Sequence, residues 1–255
     1  MIVFCVANQK GGVGKSSTAD ALAAYLSREK KGAKVLAIDM DSQCNLTASY
    51  GINPYDKPTS IREVLAGAVK ASEAVTTTRG DIIPGSLLMI AIDEVISGKG
   101  KYQLLQKALS SFEGVYDYVV IDTPPGINTA TINAFFAADV VLIPAVADMF
   151  TFQGIGELLK NIAAVQKDRP ALKVGGILLT RHNPRGNITQ FATKRIRELA
   201  ENSGAVVFDA FIRECLAIRE AQAMGQSIFD YAPKSNAAFD YSKAFKELSK
   251  QLKKN

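Results

Sequence analysis

The 255-residue sequence predicts an α/β fold, a doubly wound and mostly parallel sheet flanked by helices on both faces. Two observations carry that prediction. Short runs rich in Val and Ile alternate with longer amphipathic stretches, the pattern of successive βα units. Most of the short runs are apolar without alternation, as strands buried on both faces must be.

The first strand is expected at residues 2–7, where IVFCVA is apolar throughout, and the first helix at residues 16–29 after a glycine-rich turn. KVLAI at residues 34–38 supplies the second strand. Residues 51–60, with Pro54 and Pro58, read as a loop, and no polar linker long enough to separate two domains follows it. An amphipathic stretch predicts a helix at residues 102–112, and YVVI a strand at residues 118–121. The same alternation predicts strands at residues 140–144, 174–179 and 205–208, and helices at residues 129–137, 154–166, 188–202 and 239–253. One domain over residues 1–255 is expected, with no internal repeat and no helix-turn-helix extension before the first strand. Right-handed crossovers place the loops after the strands on one sheet edge, where ligands of open α/β folds collect.

The opening residues 1–7 lack a basic flank and run straight into Asn8-Gln9-Lys10, so neither a targeting nor a membrane-spanning segment is read there, and the cytoplasm is the expected location. Cys5, Cys44 and Cys215 are scattered, which argues against a disulfide framework or a zinc site and leaves them as packing residues. His182 is the sole histidine and, beside Asn183-Pro184, reads as a solvated loop residue. The net charge of +5 permits an acidic partner without requiring one. Basic residues recur in the last third, including Arg181, Lys194, Arg195, Arg197, Lys234, Lys243, Lys246, Lys250, Lys253 and Lys254. Solvated helix faces explain them more simply than a nucleic-acid surface does.

The strongest signal is Lys10-Gly11-Gly12-Val13-Gly14-Lys15-Ser16-Ser17, set between an expected strand and an expected helix. Such a loop cradles phosphates. Glycines let backbone N–H groups turn inward, the helix N-terminus adds positive potential, Lys15 neutralises β/γ oxygens and Ser16 offers a hydroxyl to Mg²⁺. The strict pattern GxxxxGK[ST] fails only at its first glycine, where Gln9 stands. Asp39 and Asp41 leave the second strand, and Asp122 closes the third before Thr123-Pro124-Pro125-Gly126. Phosphoryl transfer needs positioning, Mg²⁺ and charge stabilisation more than covalent chemistry, which suits a site without histidine. Asp41 is assigned to the attacking water, Asp39 and Asp122 to Mg²⁺ mainly through its waters, and Lys15 with Lys10 to transition-state charge.

With these residues in place, the sequence resembles the ParA partition ATPases, in the branch that also contains MinD. KGGVGKSS, IDMDSQCNLT, VVIDTPPG, GILLT and IREAQAMGQSIFDYAPKS occur in family order over nearly the whole chain. Lys10 stands where deviant Walker families carry a signature lysine. Ser42 replaces the usual proline and Ser17 the commoner threonine, and neither change removes a ligand atom. The resemblance implies Mg²⁺-dependent hydrolysis of ATP to ADP and phosphate, slow and partner-stimulated. It implies an ATP-dependent sandwich homodimer in which each Lys10 reaches the other subunit's nucleotide. It implies non-specific binding to double-stranded DNA, a ParB-like activator, plasmid or chromosome partitioning, and nucleoid association in the ATP state. Arg185 matches a DNA-contact position of relatives, while Arg213 and Arg219 match more loosely. The same late loop supplies adenine contacts in relatives, which points to Ile212, Arg213 and Cys215.

The alternative is a MinD-like membrane-associated ATPase that positions division or other machinery, since LTRHNP resembles that subfamily. Tyr241, Phe245, Leu248 and Leu252 form an apolar stripe on a lysine-rich terminal helix, as an interfacial helix would. Packing of that stripe on its own domain is the simpler expectation, and the run Asp41-Ser42-Gln43-Cys44-Asn45 favours ParA, so no membrane partner is expected. The cysteine placement argues against an iron-sulfur electron donor, and the absence of a terminal tyrosine cluster against an autophosphorylating kinase.

Overall fold

The computed structural model describes residues 1–29, 32–148 and 151–254, and the side chain of Lys254 lies outside that description. Eight strands form one sheet: β1 (Ile2–Val6), β2 (Val35–Asp39), β3 (Thr76–Thr77), β4 (Asp81–Ile83), β5 (Tyr118–Asp122), β6 (Val140–Val146), β7 (Lys173–Thr180) and β8 (Val207–Phe211). Their spatial order is β3-β4-β2-β5-β1-β6-β7-β8. All neighbouring pairs are parallel except the short antiparallel hairpin of β3 with β4. Chain order reverses at β1, so the loop after β1 opens at a switch point where ligands bind in such sheets.

The helices are α1 (Lys15–Glu29), α2 (Asn45–Ser49), α3 (Ile61–Leu65), α4 (Ile92–Val95), α5 (Leu104–Leu109), α6 (Thr129–Ala137), α7 (Thr151–Gln166), α8 (Asn187–Asn202), α9 (Leu216–Ala223), α10 (Ile228–Tyr231) and α11 (Asn236–Lys254). They divide between the two faces. One core packs Phe135, Ile155, Leu158 and Ile196 against Val119 and Ile121, and the other packs Leu22, Tyr241, Phe245 and Leu248 against Phe4, Val120 and Phe208. Alternate side chains of the same strand thus enter opposite cores, which is why these strands lack polar alternation.

The expected six strands and six helices are present, with shifted ends. Residues 205–208 are displaced: the N–H of Ala205 closes the turn after α8 on the Ala200 carbonyl, and β8 starts at Val207. The helix expected at residues 102–112 begins at Leu104 and ends in a 3₁₀ turn at Ser110–Phe112. The two strands not foreseen, β3 and β4, are too short for a periodicity to register. In β7, Gly176 has φ +145°, and a Cβ there would lie 2.1 Å from the Phe208 ring. That glycine leaves room for the Phe208 ring of β8, and at the neighbouring Gly175 a Cβ would lie 2.9 Å from Leu248 of α11.

A candidate nucleotide-binding site

The loop between β1 and α1 is held from both sides. The Asn8 side chain donates to the Pro144 carbonyl at 2.7 Å and accepts from the Lys10 N–H at 3.0 Å. On the opposite flank the Thr180 hydroxyl donates to the Val13 carbonyl at 2.8 Å. Gly12 and Gly14 adopt φ +72° and +82°, and open space lies where side chains at Gly11 and Gly12 would sit. The result is a backbone cradle at the start of a 15-residue helix.

Lys15 is buried, and its ammonium donates to the Lys10 carbonyl at 3.2 Å. Burial lowers its pKa, while the nearby Asp122 and Asp41 carboxylates oppose that shift. Lys10 differs. Its ammonium pairs with the Asp148 carboxylate near the surface and does not line the cavity of its own loop. That cavity, of about 560 Å³, is walled by the phosphate loop with Ser16 and Ser17, by Asp41, and by Ile212, Arg213, Cys215 and Arg219. Its size suits a nucleotide.

Cross-strand register sets Asp39 opposite Asp122 at the carboxyl ends of β2 and β5. Their environments then diverge. One Asp39 oxygen accepts the Thr47 N–H at 2.8 Å and its hydroxyl at 2.7 Å, and the other accepts the Asp41 N–H at 3.0 Å. The Gly85 N–H caps the Thr47 hydroxyl at 2.8 Å, and a Cβ on Gly85 would stand 3.0 Å from the Asp39 carboxyl carbon. Both Asp39 oxygens thereby help to fasten the loop that carries Asp41. Burial raises its pKa to about 6 against those hydrogen bonds.

Asp122 is wholly buried, and neither carboxylate oxygen has a hydrogen-bond partner of standard geometry. Burial and then the Asp39 charge hold its pKa well above the ordinary carboxylate range, only partly offset by the Ser16 hydroxyl and Lys15. A carboxylate so orphaned is costly unless a cation reaches it. Mg²⁺, bound by one carboxylate, a hydroxyl, waters and substrate phosphates, fits Asp122 and Ser16. Among the described residues no cluster of three or more His, Cys, Asp or Glu side chains could hold a metal ion. Asp41, at the cavity wall, accepts the Gln43 N–H at 3.0 Å; burial raises its pKa, opposed by that bond and by Lys15.

The late loop closes the far end of the cavity. Ile212 is buried and donates its N–H to the Leu179 carbonyl at 2.8 Å, while Cys215 caps α9 half-exposed. The Arg213 guanidinium forms a two-pronged pair with Asp240 of α11, at 2.9 and 2.7 Å. Arg219 and Arg181 both face Glu214, at 3.5 and 3.3 Å. Arg185 lies away from this cavity in the exposed loop before α8. His182 is corrected: it is buried, its ring lies 4.8 Å from that of Phe211, and burial with Arg197 lowers its pKa. Cys5 and Cys44 are buried packing residues as expected. Asn8, Thr47 and Thr180 support the site without having been foreseen, because a single Asn or Thr at a strand end carries no signal until its partner's position is known.

A family model for an AAA domain matches residues 1–174. The chromosome partitioning protein ParA of Caulobacter vibrioides is 32% identical, the match covering 96% of this chain and 93% of that one. Apo McdA of Cyanothece has a similar structure, with TM-score 0.85 at 25% identity over 99% of both chains. A Mycobacterium smegmatis structure described as cobyrinic acid a,c-diamide synthase, with bound ADP and magnesium, gives TM-score 0.76 at 30% identity over 91% of this chain and 93% of that one. With its fold, its phosphate loop and these relatives, the chain belongs to the ParA/MinD family of P-loop ATPases.

Proposed function

We propose that the protein is an ATP-dependent dimerising ATPase that binds DNA without sequence preference and partitions a plasmid or chromosome with a ParB-like activator. The observation that carries this reading is the split between the two lysines. Lys15 lies in its own cavity facing Asp41 and Asp122, whereas Lys10 is turned to Asp148 at the surface. A lysine placed outside its own site suits a role at a second subunit's nucleotide. Relatives named as chromosome partitioning proteins, at 32% and 31% identity over most of the chain, support the biological assignment.

ATP with Mg²⁺ would supply the transferable phosphoryl group and a cation to neutralise its charge. Glycine-loop amides and Lys15 hold the phosphate oxygens, and Ser16 with Asp122 would hold the cation. Asp41 orients the attacking water and accepts its proton, and burial raises its pKa above the ordinary carboxylate value. The apolar stripe of α11 is buried, which counts against its use as a membrane anchor, and no described helix is long and apolar enough to cross a membrane.

Asp41→Ala with saturating ATP tests the reading by light scattering and by pull-down on random-sequence duplex DNA. Turnover should drop on the order of 10²-fold or more, with an ATP-bound dimer retained on DNA. A monomer that ignores DNA under those conditions would sink the proposal.

A further inference from the structure

Helix α11 carries two opposite faces. Tyr241, Phe245 and Leu248 are 2%, 1% and 2% exposed and pack into the core. Lys243, Lys246, Lys250 and Lys253 are exposed, and at 3.6 residues per turn they fall within an arc of about 80° on the other side. The two acids of the helix flank that stripe, and both are engaged by other groups. Asp240 is buried on Arg213, and Glu247 accepts the N–H groups of Asp209 and Ala210 at 2.9 and 3.0 Å. Among the described residues none of the four lysines makes an ion pair. The helix thus presents four uncompensated cations on a face fixed to the sheet by its own carboxylates.

We infer that this lysine stripe is a docking surface for the phosphate backbone of double-stranded DNA. The inference rests on the DNA-binding reading above and assigns that binding to α11 rather than to Arg213, whose guanidinium is taken up by Asp240. From Lys243 to Lys253 the stripe runs about 15 Å at 1.5 Å per residue. A duplex presents about nine phosphates over that length. Lysines are flexible point charges that contact phosphates without reading base edges, so the surface is indifferent to sequence. A lipid bilayer matches less well: interfacial helices bury an apolar face among acyl chains, and that face of α11 is already in the core. Pairing two chains would couple two such stripes and strengthen weak individual contacts.

The test is the full-length protein with Lys243, Lys246, Lys250 and Lys253 all changed to Gln, beside the same four changed to Arg. Binding to random-sequence duplex DNA is measured with ATP across a salt series, and binding to phosphatidylserine vesicles in parallel. The Gln variant should keep its melting temperature and ATP affinity while its log K against log[salt] slope shrinks by about three to four units per protomer, and the Arg variant should keep the wild-type slope. A Gln variant with the wild-type slope overturns this assignment while leaving DNA binding itself intact. Wild-type protein that fails to bind DNA in any nucleotide state overturns the functional reading and this inference with it. Vesicle binding that disappears in the Gln variant while DNA binding is unchanged would reassign the stripe to membranes.

Discussion

Asp122 is an electrostatic cost that the fold carries within its own site. Its two oxygens have no proton donor of standard geometry, and burial holds its pKa well above the ordinary value. A group whose folded pKa is raised costs stability once pH exceeds its unfolded pKa, because ionisation is disfavoured only in the native state. Asp122→Asn removes that cost with little change of shape. The nucleotide-free variant should unfold at a higher denaturant midpoint at pH 8, by on the order of 1 kcal/mol, and should lose the added stability that Mg²⁺ with ADP gives the wild type. An unchanged midpoint would mean that the orphaned oxygens are already satisfied. Such exchange of stability for function is common at catalytic sites.

Between elements, Arg79 performs a joining role that its place in a hairpin turn does not suggest. Its guanidinium pairs with Asp20 of α1, donates through Nε to the Ser49 carbonyl of α2 at 3.2 Å, and lies 4.0 Å from the Tyr50 ring centroid. It ties the helix behind the phosphate loop to the helix that continues the Asp41 loop, and Asn45, Ala48 and Ser49 of α2 line the cavity. Breaking such a buried pair leaves Asp20 uncompensated, which typically costs about 3–5 kcal/mol. Arg79→Ala should therefore lower unfolding free energy by roughly that amount, whereas Asp20→Asn with Arg79→Ala should lose less than the two single changes added together. Additive losses in denaturant titrations would show that the two side chains are not coupled. None of this was legible in the sequence, because Asp20 and Arg79 are 59 positions apart and share no motif.

At the scale of the whole molecule, several carboxylates are displaced the same way. Asp20 and Asp39 are pushed up to about 6, in both cases chiefly by burial, and Asp41 and Asp122 are also raised. Unfolded Asp titrates near 3.9. Through these four groups the native chain binds more protons than the unfolded chain between about pH 4 and 6, a contribution to stability that is full below that window and is lost as pH rises through it, and that outweighs the opposite shifts of Glu63 and His182. Nucleotide-free protein should melt at a lower temperature at pH 7 than at pH 5 at fixed ionic strength. Mg²⁺ with ADP should narrow that difference, since a cation beside Asp122 favours its charged form. A melting temperature that rises steadily from pH 5 to 7 without nucleotide would contradict this account.

The sequence by itself determined the phosphate loop, because KGGVGKS is contiguous and its function is built from backbone and neighbouring side chains. It also determined the parallel sheet, since strands covered on both faces must be apolar end to end. The terminal helix, too, was readable as an amphipathic element, and its apolar stripe packs on its own domain as expected. Only the tertiary structure decided how the surroundings of the three aspartates differ. Asp39 and Asp122 end similar apolar strands and look alike in sequence, yet Thr47 and the Asp41 N–H hydrogen-bond the first, while the oxygens of the second have no partner of standard geometry. The same holds for His182, placed in the interior by packing against Phe211, and for Arg213, drawn to Asp240 by the seating of α11. Burial and pairing belong to groups distant along the chain, so a local pattern can name a side chain but not the partner that sets its chemistry.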